Sequence, residues 1–335
     1  MNGSLVERLV PCLMLALGTA VAVLGTVPGG ASASAAPPHR LRPEVHTVPG
    51  AKMSLAQAPA GLRAVVRRTL GAPAAAGGAF QQAKLTASDG APGDIFGVSV
   101  AISGSTAVVG ASFKNSNTGA AYVFVRSGAV WSQQAKLTAA DGSSFDRFGT
   151  SVAISGPTAV VGAFGQFSNT GAAYVFVRSG TAWHQQARLT AADPAKDSVF
   201  GISVAVSGPT VVVGANHLAG SGTGAAYVFV RSGPAWSQQA KLTAPGPATI
   251  DLFGTSVAIL GSAAVVGAPG QTSPGAAYVF ARSGTAWHRQ AKLTASDGAS
   301  RDFFGGSVAI SRSTAVAGAD GNNAATGAAY VYVNV

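Results

Sequence analysis

From residue 80 onward, apolar residues come in short runs rather than at helical spacing. In one stretch the runs read Thr-Ser-Val-Ala-Ile, Thr-Ala-Val-Val-Gly-Ala and Ala-Ala-Tyr-Val-Phe-Val, with Ser-Gly-Pro and Ser-Asn-Thr-Gly between them. Val, Ile, Tyr and Phe punctuated by Gly, Ser and Pro predict strands joined by turns. For residues 148–191 the pattern predicts strands at Gly149 to Ser155, Thr158 to Ala163, Ala172 to Arg178 and, after Trp183, Gln185 to Ala191. In the third of these, Tyr174 and Phe176 point one way and Val175 and Val177 the other. Both faces are apolar, so the sheet is expected to lie between two others. The first strand carries the small residues Gly149, Ser151 and Ala153, which suit the narrow inner end of a blade.

This unit occurs five times. Phe-Gly falls at Phe96, Phe148, Phe200, Phe253 and Phe304, and the Tyr of Ala-Ala-Tyr-Val recurs in step at Tyr122, Tyr174, Tyr227, Tyr278 and Tyr330. A period near fifty residues marks a propeller or solenoid. An aromatic held at one place in all five copies, beside a Gly, is expected to be buried between blades.

The pairing of Phe-Gly with a downstream Val-Gly-Ala or Gly-Ala-Pro, fullest at Val266-Gly267-Ala268-Pro269, resembles the FG-GAP repeat family. That family builds the N-terminal propeller of integrin alpha subunits and occurs in many bacterial secreted proteins. The resemblance covers residues 80–335. It implies extracellular ligand recognition or adhesion and names no ligand.

The phase of the repeats bears on how the ring ends. Gln81-Gln82-Ala83-Lys84-Leu85-Thr86 reads as a fourth strand with no first three before it, and the last copy ends near its third strand at Val335. The expectation is an all-β, five-bladed propeller of four-stranded antiparallel blades. Its ring would be closed by residues 81–86 joining Ala328 to Val333, which hides the sheet edges.

Composition changes the picture mainly by exclusion. The formal charge is +10 and the pI about 10.2. Yet Lys84, Lys136, Arg188, Lys241 and Lys292 share one repeat position, and Arg126, Arg178, Arg231 and Arg282 another. Charge spread round a ring, without stacking aromatics beside it, reads as a solvated rim and not a nucleic-acid surface. Weak attraction to anionic cell-surface polymer is the sharper reading.

The N-terminal quarter has its own logic. Leu9 to Val27 is uncharged and apolar and is followed by Ala31-Ser32-Ala33-Ser34-Ala35, so residues 1–35 read as a secretory signal. An uncleaved anchor is the alternative, disfavoured by Pro11, Gly18 and Gly25. After cleavage the lone cysteine, Cys12, is gone, and with it disulfide and thiolate chemistry. Residues 36–79, rich in Ala, Pro and Gly, read as a linker with a possible short helix at 61–70. Residues 80–335 form the propeller. The expected protein is secreted, monomeric and not held to a membrane.

Candidate chemistry is thin. The integrin-type repeat holds calcium in an Asp-rich loop between its first and second strands. Here those loops are Ser103-Gly104-Ser105, Ser155-Gly156-Pro157, Ser207-Gly208-Pro209, Leu260-Gly261-Ser262 and Ser311-Arg312-Ser313, with no Asp. No cofactor is therefore expected. Aspartates recur instead between fourth and first strands, at Asp89 and Asp94, Asp141 and Asp146, Asp193 and Asp197, Asp251, and Asp297 and Asp302. Their bland reading is turn stabilisation; a cation shared by a pair is the alternative. Trp131, Trp183, Trp236 and Trp287 share one position and read as wedges between blades, with sugar-stacking platforms as the alternative. His184 and His288 lie two blades apart and read as surface positions. The repeats contain no Glu, Cys nucleophile or symmetry-breaking carboxylate pair, which argues against an enzyme.

Strand parity selects a binding face. Loops after strands one and three emerge on one face and are short and nearly invariant. Loops after strands two and four emerge on the other, where the loop after strand two is long and varies: 112–117, 164–169, 216–220 and 320–323. Divergence on a rigid scaffold is where recognition residues usually sit; neutral drift in loops that the fold leaves free is the alternative reading. The candidate ligand-binding residues are Phe113, Lys114, Asn115, Phe164, Gln166, Phe167, His217 and Asn322. The expected function is non-catalytic binding or adhesion to an extracellular protein or surface ligand through this face. A carbohydrate-binding lectin propeller is the second reading, and a degenerate glycoside hydrolase a distant third.

Overall fold

The computed structural model describes residues 81–165, 170–195, 197–217, 224–245, 251–270 and 273–335. Residues 85–335 form one compact unit. The expected signal segment, most of the linker and its helix lie outside the described residues.

The chain forms the expected all-β architecture of five blades, each an antiparallel meander. The first blade holds β1 (Phe96–Ser103), β2 (Thr106–Ala111), β3 (Ala120–Ser127) and β4 (Val130–Leu137). The second holds β5 (Ser151–Ser155), β6 (Thr158–Ala163), β7 (Ala172–Ser179) and β8 (Ala182–Leu189). The third runs from β9 (Ser203–Ser207) through β10 (Thr210–Ala215) to β12 (Ala235–Leu242), and the fourth from β13 (Ser256–Leu260) to β16 (Ala286–Leu293). The fifth is β17 (Ser307–Ser311), β18 (Thr314–Ala319) and β19 (Ala328–Val333). The fourth strand starts earlier than its pattern suggests. Ser179 pairs with Ala182 across Gly180 and Thr181, so Trp183 lies within the strand. Gly180 has φ 60°, which a two-residue hairpin turn needs at its first central position.

Every residue of β6 and β10 is buried, because their sheets are covered on both sides. At the junction of blades two and three, Val160, Ala173, Val175 and Leu189 meet Phe200, Val204, Val213, Tyr227 and Phe229. Phe200 is fully buried. Its ring centroid lies 5.5 Å from that of Tyr227 and 6.0 Å from that of Phe229. The backbones also touch. Ser151 Oγ donates to the Gly201 carbonyl at 2.8 Å, and a Cβ on Gly162 would strike that same carbonyl. Gly171 forms a parallel bridge to Phe200. The two glycines and the serine of each unit thus let one blade seat directly on the backbone of the next. The same contacts recur at all four junctions.

The ring does not close as expected. Among the described residues, the fifth sheet has three strands, residues 81–87 carry no strand, and β19 has no partner on its outer side. Val331 is 65% exposed, whereas its counterparts Val123, Val175, Val228 and Val279 are fully buried. On the first blade, Val100 and Ile102 are 53% and 66% exposed, against 8% each for Val152 and Ile154. Among the described residues, the faces of the first and fifth blades that a closed ring would bring together are thus left exposed.

Candidate functional site

The loops after strands two and four do share a face, and they interlock there. Arg147 N–H donates to the Asn117 carbonyl at 2.8 Å and Phe148 N–H to Thr118 at 2.9 Å, tying the first blade's long loop to the start of the second blade. In that loop Asn115, Ser116 and Asn117 all have left-handed backbones, with φ of 50°, 55° and 66°. Asn and Ser tolerate this better than bulky residues do. The turn they make pushes Asn115 and Ser116 into solvent.

Beside this turn stands Phe145, 63% exposed and also left-handed, at φ 71°. Its N–H donates to the Ser116 carbonyl at 3.3 Å. The backbone at this repeat position is left-handed in other copies too, where Gly93, Asp197 and Arg301 occupy it. A Phe is poorly suited to such a backbone, and solvent gives this one no packing in return. Next to it the Arg147 guanidinium lies 4.9 Å over the Phe113 ring and 5.5 Å over that of Phe164. Two aromatic faces hold the cation by their quadrupoles. Burial pulls the pKa of Arg147 below its ordinary value, and its Nη1 is buried without a hydrogen-bond partner among the described residues. At the same position the other copies carry Ile95, Val199, Leu252 and Phe303.

The sequence model of the FG-GAP repeat family matches residues 80–124, 131–176, 183–229, 236–280 and 287–332. The chain belongs to the FG-GAP repeat family. A comparison with curated proteins finds no match. From the second onward, each matched segment runs from the fourth strand of one blade into the third strand of the next, so it spans a junction. The Phe-Gly and Val-Gly-Ala signatures of FG-GAP repeats are, in this chain, the inter-blade contacts already described.

Of the residues expected to bind, Phe113 and His217 are half-buried and Asn115 is exposed on the FG-GAP propeller's long-loop face. Gln166 and Phe167 lie outside the described residues. Three others are committed to the fold. Lys114 is buried, its ammonium 2.8 Å from the Asp94 carboxylate and bonded to the Asp89 carbonyl, so it is not available to a ligand. Asn322 is buried with its amide donating to Asp302 at 3.1 Å and Tyr330 at 3.3 Å. Phe164 is 8% exposed and packs with Val199 and Ile202. Lys114 and Asn322 each stand three residues after the alanine that ends strand two, and each closes on the second aspartate of its blade. Unlike side chains do one structural job.

The aspartate pairs are structural on the same evidence. Asp94, Asp146 and Asp302 accept from the N–H three residues earlier, at 2.6–2.7 Å. Asp89, Asp141, Asp193 and Asp297 accept from the tyrosine hydroxyl of their blade at 2.6–2.9 Å. The cations expected on a solvated rim join them: Lys136 lies 2.7 Å from Asp89, Arg188 3.4 Å from Asp141 and Lys241 2.5 Å from Asp193. The Lys136 ammonium, then the Tyr122 hydroxyl, pull the Asp89 carboxyl down to about 2. Burial opposes the charge on Asp94, but Lys114 outweighs it and holds that carboxyl below its usual range. In the first blade, then, a lysine ammonium stands between the two carboxylates where a shared cation was the alternative.

The tryptophans act as wedges. Trp183, Trp236 and Trp287 are half-buried, pack on the inter-blade clusters and donate to Gln134, Gln186 and Gln239 of the preceding blade at 2.9–3.0 Å. His184 and His288 are exposed.

Proposed function

We propose that the protein is a secreted, non-catalytic binding module that recognises an extracellular protein or surface ligand at the corner between its first two blades. The observation carrying this reading is Phe145. An exposed aromatic in a left-handed backbone, where the other copies carry Gly93, Asp197, Ile250 and Arg301, gains no packing in return for that backbone. The Phe145 N–H is bonded to the Ser116 carbonyl of the loop that carries Phe113 and the exposed Asn115, and Arg147 two residues on lies over the Phe113 ring. An aromatic platform with polar groups at its edge suits an apolar or aromatic side chain of a protein partner. The same chemistry also fits the face of a sugar ring, the lectin reading.

A binding role is in keeping with the FG-GAP family, whose propellers are typically extracellular binding modules. Among the described residues no helix is long and apolar enough to cross a membrane. The aspartates named above are engaged with N–H groups, tyrosines or cations, which supports binding over acid–base chemistry.

The test is to probe immobilised cell-surface proteins and a glycan array with the wild-type protein and with Phe145→Gly. Loss of a wild-type signal in the variant supports the corner, and the array on which it falls separates the protein and sugar readings. A signal unchanged by Phe145→Gly removes the corner from the account. Turnover of chromogenic glycosides would contradict the non-catalytic reading.

A further inference from the structure

The docking elements of an inter-blade junction are kept at the two ends of the stack, where no blade docks among the described residues. At the fifth blade, Ser307 is exposed, while its counterparts Ser99, Ser151 and Ser203 are buried against the next blade's Phe-Gly carbonyl. A Cβ on Gly318 would meet only Ser307 of its own blade, and one on Gly327 only Ala319 and Asp320. At the first blade a Cβ on Gly97 would meet no atom within 4 Å, whereas on Gly149, Gly201, Gly254 and Gly305 it would meet the preceding blade. The apolar faces match in kind. Val331 and Val333 are presented at the fifth blade, and Phe96, Val100 and Ile102 at the first.

The missing strand is also accounted for. Leu85 and Ala87 lie on the first blade's outer face, packed with Val109, Ala120, Tyr122 and Phe124. Leu137 and Ala139, which end the first blade's fourth strand, lie in the same way on the second blade. The first blade thus carries the end of a fourth strand, and the fifth sheet lacks one. Charge agrees. Asp297 accepts from the Tyr330 hydroxyl at 2.6 Å, as Asp89 does from Tyr122. Asp89 has Lys136 opposite Tyr122 on the fourth strand, and the position opposite Tyr330 falls in register to Lys84.

We propose that the protein associates head to tail with second copies of itself. The fifth blade of one copy receives the first blade of the next, and residues 81–86 of the incoming copy add to β19 as the fourth strand. The interface continues one that the chain already makes four times. A second copy is the occupant because the two faces are complementary as at the four junctions and, among the described residues of one chain, both are exposed. Unlike faces meeting in this way give a ring or an open filament, not a two-fold dimer. The association would also line up several copies of the long-loop face on one surface, raising avidity for a repeated ligand.

The register of β3 with β4, in which Val123 opposes Ala135, places Val331 of one copy opposite Ala83 of the other. In a Cys12→Ser background, Ala83→Cys and Val331→Cys proteins are purified separately, mixed and oxidised. A disulfide-linked heterodimer, formed in the mixture far more than in either protein alone, is the expected result. Light scattering should show the wild-type mass rising with concentration, and Val331→Asp, at an exposed site, should weaken association at least tenfold. A chain carrying both cysteines that cross-links only to itself overturns the proposal in favour of a ring closed within one molecule. A wild-type protein that stays monomeric across the concentration range overturns it outright.

Discussion

The junction between blades two and three and the corner around Phe145 obey opposite rules. At the junction, Ser151, Gly162, Gly171, Phe200 and Gly201 reappear at equivalent positions in the neighbouring junctions, and each is buried or in backbone contact. At the corner, Phe145 and Arg147 replace residues of other kinds, and one of the two faces solvent. Repetition marks what a blade needs in order to stack. A departure marks either a local substitute for the same job, as with Lys114 and Asn322, or a residue the fold does not need. Burial tells the two apart.

The largest expected effect is at the junction glycine. Gly162→Ala forces a methyl into the Gly201 carbonyl and should cost at least about 3 kcal/mol, by analogy with overpacked cores. Gly318→Ala, the same change where no blade follows, meets only the exposed Ser307 hydroxyl and should cost under about 1 kcal/mol, because that side chain can rotate away. Urea unfolding of the two variants checks the contrast. Equal losses would mean that glycine serves the single blade and not the junction.

Next is the aromatic of Phe-Gly. Phe200→Ala should cost about 3–5 kcal/mol as a fully buried truncation. Phe96 stands at the open end and is only half-buried, so Phe96→Ala should cost less than half as much. A Phe96→Ala loss as large as that of Phe200→Ala, measured in dilute monomer, would show the end face to be covered.

A smaller effect concerns acid. The Asp89 carboxyl is held at about 2 in the folded chain, below its ordinary 3.8. A depressed folded value means the stabilisation is present above the unfolded pKa and is lost as pH falls through the folded one. Stability contributed by Asp89 should therefore disappear between about pH 4 and pH 2, and Asp89→Asn should flatten that part of the profile. An unchanged acid limb in Asp89→Asn would dissociate the carboxylate from this network.

The fold was legible because the chain states it five times: the Phe-Gly period, the alternation of Tyr174 with Val175, and the small residues of the first strand all point to stacked blades. Closure was not legible from phase alone. Phase says which strand would join the ends, whereas whether the ends meet depends on how the blades pack, and Val100, Ile102 and Val331 are left exposed. The binding face was legible from strand parity, but its residues were only partly so. Lys114, Phe164 and Asn322 differ between copies and yet are buried, because a variable loop still has to fill the space beneath it. Phe145 and Arg147 sit in the loop before strand one, which keeps the same length at all four junctions, so divergence in length does not flag it. Their signal was a single odd residue at a repeat position: an aromatic among Gly93, Asp197, Ile250 and Arg301, and a cation among Ile95, Val199, Leu252 and Phe303.

The most direct test of this contrast is to measure Phe145→Gly for unfolding free energy and ligand binding in one preparation. Relief of a left-handed backbone is worth about 1–2 kcal/mol and is partly offset by the added freedom of glycine in the unfolded chain. Stability should therefore be unchanged or up to about 1 kcal/mol higher, while binding to the ligand identified on the arrays falls at least tenfold. A variant that loses more than about 1 kcal/mol of stability and still binds as wild type would contradict the account, and would make Phe145 one more residue that the fold requires.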